Sequence, residues 1–131
     1  MKNLNYNVTE HFKINEFACR DGSAVPGKYL SNVFKLAQQL EIIRTHLGQP
    51  IIINSAYRTR EHNTKVGGAF ASQHLTASAA DIVIKGYTPQ YVFTIIRSLM
   101  KSGVILGGCV ILYKTFVHYD IRGGFLFLDK R

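Results

Sequence analysis

Hydrophobic positions recur along the chain with two periods, and the switches between them outline the elements. Leu30, Val33, Phe34, Ala37, Leu40, Ile43 and Leu47 fall three or four residues apart, the spacing that lines one face of a helix. Gly48 and Pro50 follow and predict its end, since glycine takes the left-handed cap conformation and proline cannot continue a helix. The β-branched run Ile51, Ile52, Ile53 reads as a buried strand. Residues 55–70 are polar and contain glycine, which predicts a short helix over 60–65 and a loop at Gly67 and Gly68. Residues 79–84 read as a second strand. Thr88 and Pro89 are a helix cap and first-turn proline, and Val92, Ile95, Ile96, Leu99 and Met100 form the apolar stripe of that helix, ended by Gly103. Residues 110–113 and 116–121 read as two strands joined by a tight turn at Lys114 and Thr115. Phe125 and Phe127 form either a closing edge strand or a segment packed back on the sheet. Upstream, residues 11–17 suit a single helical turn anchored by Phe12, Ile14 and Phe17, and Asp21-Gly22 and Pro26-Gly27 are turn signals.

This order contains one strand–helix–strand crossover and ends in a hairpin. It predicts an α+β fold, a mostly antiparallel sheet of about four strands with helices packed on one side. At 131 residues the chain reads as one domain, residues 1–131. A hydrophobic fraction of 47% and a charged fraction of 18% exclude disorder as the main state. The longest apolar stretch, residues 103–113, is too short for a spanning helix and holds three glycines, so no membrane insertion is expected.

The net charge of +8 favours a polyanionic partner. No run of five like charges and no recognition motif accompanies it, so nucleic acid is not the expected partner. Residues 1–11 are polar and lack the apolar core of a signal peptide, which predicts a product made in the cytoplasm, or one whose leader has been removed. Cys19 and Cys109 each sit beside apolar residues, with no Cys or His at finger-like spacing, and are expected to be buried free thiols, neither joined in a disulfide nor ligands of a metal.

The chemistry-bearing residues stand out against the apolar strands. Asp81 lies inside the second strand, His118 inside the last one, and His74 in the loop before Asp81. A carboxylate inside an apolar strand is unfavourable unless paired or bound to a cation. Two imidazoles and one carboxylate can hold zinc with a position left open for water. Spacing alone leaves a second reading, in which Asp81 caps a turn and the two histidines are separately satisfied.

Five stretches go further. Ser55-Ala56-Tyr57-Arg58-Thr59, Asn63, Val66-Gly67-Gly68, Ser72-Gln73-His74-Leu75-Thr76 and Ala79-Ala80-Asp81-Ile82, followed by a late segment Phe116-Val117-His118-Tyr119-Asp120-Ile121-Arg122-Gly123, resemble the core of the D-Ala-D-Ala carboxypeptidase-like zinc peptidases. Those proteins share a fold with the hedgehog signalling domain and cleave peptidoglycan stem peptides. Residues 11–22 also resemble the small, single-domain members found in phages and their bacterial hosts. The resemblance implies a zinc metallopeptidase acting on peptidoglycan peptides, as carboxypeptidase or endopeptidase and in the manner of a phage endolysin. It implies zinc held by His74, Asp81 and His118. Arg58 would bind a carbonyl oxygen or a substrate carboxylate, and Ser72 and Gln73 would shape the loop or touch substrate. A monomer acting at the cell wall after release or export is expected. A relative of the same fold that binds the wall without effective catalysis is the alternative.

Two departures from the family pattern bear on this. Ala77 replaces the usual glycine three residues after the first ligand, and strains the loop if that position needs φ > 0. Thr115 stands where many members carry the acid that serves as general base. Asp120 is then the best available carboxylate, either as base or as the group that orients His118, with Glu61 or His62 next in line. Arg122 continues the same strand face and is expected to be solvated.

Overall fold

The computed structural model describes residues 5–131; the first four residues of the polar segment 1–11 lie outside that range. The chain runs through a 3-10 turn (Ile14–Phe17), a second one (Gly27–Tyr29), α1 (Leu30–Leu47), β1 (Ile51–Ser55), α2 (Arg60–Lys65), a third 3-10 turn (Gln73–Thr76), β2 (Ala79–Ile84), α3 (Pro89–Lys101), β3 (Gly108–Leu112), β4 (Val117–Asp120) and β5 (Phe125–Asp129). Local chemistry explains most boundaries. The Thr88 side chain accepts from Tyr91 N at the start of α3, and Thr59 does the same for His62 N at the start of α2. Gly48 closes α1 at φ 68°, its N–H donating to the Arg44 carbonyl. Among the described residues no helix is long and apolar enough to cross a membrane.

The sheet has five strands in the order β1-β2-β4-β3-β5, not the four or so expected. The additional strand is β5, which settles the reading of Phe125 and Phe127 as a closing edge. It pairs in parallel with β3, and every other pairing is antiparallel. Because β4 is antiparallel to both β2 and β3, those two run parallel. The β2–α3–β3 crossover thus leaves a gap that the hairpin strand β4 fills.

Strand alternation separates the two faces of the sheet. Ala80, Ile82, Ile84, Val110, Leu112, Val117 and Tyr119 point to one side and join a single core with Val33, Leu36, Leu40 and Ile43 of α1 and Val92, Ile96 and Met100 of α3. Asp81, Ile111, His118 and Leu128 occupy one cross-strand row on the opposite face, each directly opposite its neighbour. The apolar face holds α1 and α3, and the other face is left to carry chemistry.

The sheet is tightest where β3 starts. A Cβ on Gly108 would collide with the Asp120 carbonyl oxygen of β4. Backbone cannot yield as a side-chain tip can, so Gly108→Ala is expected to destabilise the fold by at least about 1–3 kcal/mol. Denaturant unfolding measures this, and an unchanged midpoint would mean that the strands separate freely.

Candidate metal centre

His74, Asp81 and His118 reach one point from three directions. Asp81 and His118 face each other across the β2–β4 pair. His74 comes from the 3-10 turn Gln73–Thr76, where Ser72 Oγ accepts from His74 N at 3.2 Å. That turn closes at Ala77 with φ 59°, so the position does take the left-handed conformation, at about 1–2 kcal/mol for an alanine. One ligand atom from each of the three lies within 4.8 Å of the others, and all three residues are buried.

The hydrogen bonds fix which atoms face inward. His74 Nδ1 lies 2.6 Å from the Ala56 carbonyl, an acceptor only, so Nδ1 carries the proton. His118 Nε2 donates to Asp120 Oδ2 at 2.7 Å. The remaining nitrogens, His74 Nε2 and His118 Nδ1, both approach Asp81 Oδ1, at 3.2 and 3.0 Å. In the neutral imidazoles these are three lone pairs directed at one another. Only a proton or a metal cation placed among them makes the arrangement favourable, and two imidazole nitrogens with a carboxylate oxygen are a suitable donor set for zinc.

The surrounding charges agree with this. Burial alone would push the Asp81 carboxyl up, but the His118 and His74 rings against it, which donate to it when a proton sits between them, outweigh burial and hold the group well below the usual carboxylate range. Burial would likewise lower His118, yet its bonds to Asp120 and Asp81 raise it.

Arg58 and Asp120 brace the centre from either side. Arg58 Nη2 donates to Asp81 Oδ2 at 3.2 Å, Nη1 to Asn63 Oδ1, and Nε to Ser55 Oγ. Ser55 is in place because β1 carries an irregularity between Ile53 and Ser55 that sets Ser55 opposite Asp81. Asp120 is fully buried and accepts five hydrogen bonds, from Cys109 N, His118 Nε2, Arg122 N, Arg122 Nε and Arg122 Nη2. Those bonds outweigh its burial and keep it ionised well below the usual range. Arg122 is therefore not simply solvated, as its sequence position suggested: its guanidinium grips Asp120.

The centre opens into a cleft of about 740 Å³, walled by the loop 66–73 on one side and by β3, β5 and the β3–β4 turn on the other. Ser72 and Gln73 line it, as does Arg58. Thr115 and Glu61 do not, and neither does His62. Asp81 is the one carboxylate among the described residues that line it. Asn63 and Gly68 were visible as motif positions, but their task was not. A Cβ on Gly68 would strike the Asn63 amide and Arg58 Nη1, so glycine is required there for space. Both cysteines are free and buried.

No curated protein matches the chain. A family model of Peptidase M15 matches residues 10–120, which include every residue of the centre and its braces except Arg122. With an α+β fold in which α1 and α3 cover one sheet face and a His/Asp/His cluster lies on the other, the chain belongs to the Peptidase M15 family, the D-Ala-D-Ala carboxypeptidase-like zinc peptidases.

Proposed function

We propose that the protein is a zinc-dependent metallopeptidase that hydrolyses stem or cross-link peptides of peptidoglycan, as carboxypeptidase or endopeptidase, acting at the cell wall after release or export in the manner of an endolysin. The observation that carries this reading is the convergence of His74 Nε2, Asp81 Oδ1 and His118 Nδ1 at the floor of an open cleft. These three residues would hold the ion. When bound, zinc supplies Lewis-acid polarisation of a carbonyl and activation of water.

The chain's own groups do the positioning. The Ala56 carbonyl and the Asp120 carboxylate hold the two imidazoles in the tautomers that leave the inward nitrogens free. Of the two roles open to Asp120, we take the orienting one, because both of its oxygens are occupied and it is sealed from the cleft. Arg58 turns Asp81 so that Oδ1 faces the histidines, and each of its terminal nitrogens keeps a second N–H for a substrate oxygen. Ser72 and Gln73 contact the peptide from the loop. The charge of +8 draws the protein to an anionic wall.

A zymogram against purified peptidoglycan, with and without chelator, tests the reading. Clearing that chelator abolishes and zinc restores is expected. One observation favours the alternative, a wall-binding relative with impaired catalysis: the cleft offers no carboxylate beyond Asp81 to accept a proton. That protein would sediment with peptidoglycan and produce no clearing.

Gly68→Ala probes Arg58 from outside the ligand set. Asn63 is buried and bonded at both ends, to Arg58 and to the Ala69 carbonyl, and has no room to yield. The variant is expected to keep its zinc stoichiometry while turnover falls by about 10- to 100-fold through a displaced guanidinium. Wild-type turnover would show that Arg58 does not need this position.

A further inference from the structure

We infer that Cys19, Asp21 and His62 form a second metal site, selective for zinc or a metal of similar softness, that ties the N-terminal turn to α2. One donor atom from each of these residues lies within 4.8 Å of the others, well apart in sequence from the residues of the first centre.

Two local structures create the juxtaposition. The turn 19–23 is closed by Cys19 N donating to the Ser23 carbonyl and Gly22 N donating to the Cys19 carbonyl. Its Asp21 side chain caps Ser23 N and accepts the Thr59 hydroxyl at 2.9 Å. Thr59 is also the cap of α2, accepting from His62 N, so the turn and the first residues of α2 are held against each other. Cys19 is 3% exposed; its sulfur lies 4.0 Å from Thr59 Oγ1, a hydroxyl already donating to Asp21, and its thiol hydrogen-bonds the Asp21 carboxylate. Neither ring nitrogen of His62 has a hydrogen-bond partner among the described residues. The thiol proton shared between Cys19 and Asp21 is the one a metal would displace, and the His62 ring completes the donor set.

Their chemistry selects the ion. A thiolate and an imidazole favour zinc over magnesium or calcium, and one carboxylate completes a three-ligand set with water in the fourth position. Binding releases the thiol proton to solvent. The two negative charges, thiolate and carboxylate, balance one divalent cation. A site with three protein ligands and an exposed carboxylate fills after the buried one. Its effect on the first centre would be mechanical: His62 and Asn63 are adjacent on α2, and Asn63 holds Arg58.

Cobalt titration of the full chain freed of metal tests this, reading stoichiometry together with the near-ultraviolet thiolate-to-cobalt charge-transfer band. Wild-type protein is expected to take up two equivalents, the second with the band. Cys19→Ser and His62→Ala should each lose that equivalent and the band, and Cys109→Ser should keep both. His118→Gln should lose the first equivalent and retain the band. If Cys19→Ser fails to fold, His62→Ala decides alone, because its side chain is only partly buried. A wild-type titration ending at one equivalent without the band overturns the second site and leaves the first intact. One equivalent with the band, lost in His62→Ala, keeps the second site and overturns the first. A band that persists unchanged in His62→Ala also overturns the assignment.

Discussion

Asp81→Ala is expected to purify with less than about a tenth of an equivalent of zinc at the first centre, to clear no peptidoglycan, and to unfold at a markedly lower temperature. The carboxylate is the hub of the centre: Oδ1 meets both imidazoles and Oδ2 accepts from Arg58. Removing it leaves two inward-facing imidazoles and a guanidinium with little solvent to replace the lost partner. Truncating one member of a buried charged cluster typically costs about 3–5 kcal/mol, because the partner charges remain. For a domain of this size that is a fall in Tm on the order of 10 °C. Asp81→Asn separates the two effects. It preserves the shape while removing the charge, so zinc should still be lost with a smaller fall in Tm. An Asp81→Ala variant that retained zinc at wild-type stoichiometry and affinity would remove Asp81 from the centre.

The second large effect concerns Asp120. If it orients His118, Asp120→Asn should weaken zinc binding by roughly 10- to 100-fold, and activity should return when zinc is added in excess. If it were the proton acceptor, zinc affinity would hold while turnover fell by about 100-fold or more. The hydrogen bonding argues for the first outcome. An asparagine presents one oxygen and one NH2: with the NH2 at the Oδ2 position it faces the His118 Nε2 and Arg122 Nη2 donors, and with the NH2 at the Oδ1 position it faces Cys109 N, Arg122 N and Arg122 Nε. Either the imidazole loses its anchor or the donors on Oδ1 lose theirs, and the shell that holds His118 loosens. A variant indistinguishable from wild type in both affinity and turnover would exclude both roles.

Much of this molecule is legible in local chemistry. The limits of α2 and β2 fall where the residue pattern puts them, and α1 ends at Gly48 as expected. These features depend on neighbours a few residues away: periodicity, a capping hydroxyl, a glycine that accepts φ > 0. The candidate ligands were legible for a related reason. An aspartate between alanines and isoleucines in a strand has to find a counter-charge, and the motifs around His74 and His118 supplied two partners.

What the chain could not disclose by itself is everything set by long-range pairing. The β2–α3–β3 crossover is compatible with β2 and β3 as direct neighbours. Only the insertion of β4 between them sets His118 opposite Asp81, and a slip of one residue would turn His118 into the helix-facing core. The same insertion brings Gly108 against Asp120 and seals that carboxylate behind Arg122, so a residue open to two roles by sequence position is sealed and fully bonded in the fold. Cys19 looked solitary because its neighbour His62 is 43 positions away and their segments are joined only in the fold, through contacts such as the Thr59–Asp21 hydrogen bond. Periodicity follows from bonds between near neighbours. Register and sealed charge follow from which distant surfaces pack together, and that is decided only when the whole core closes.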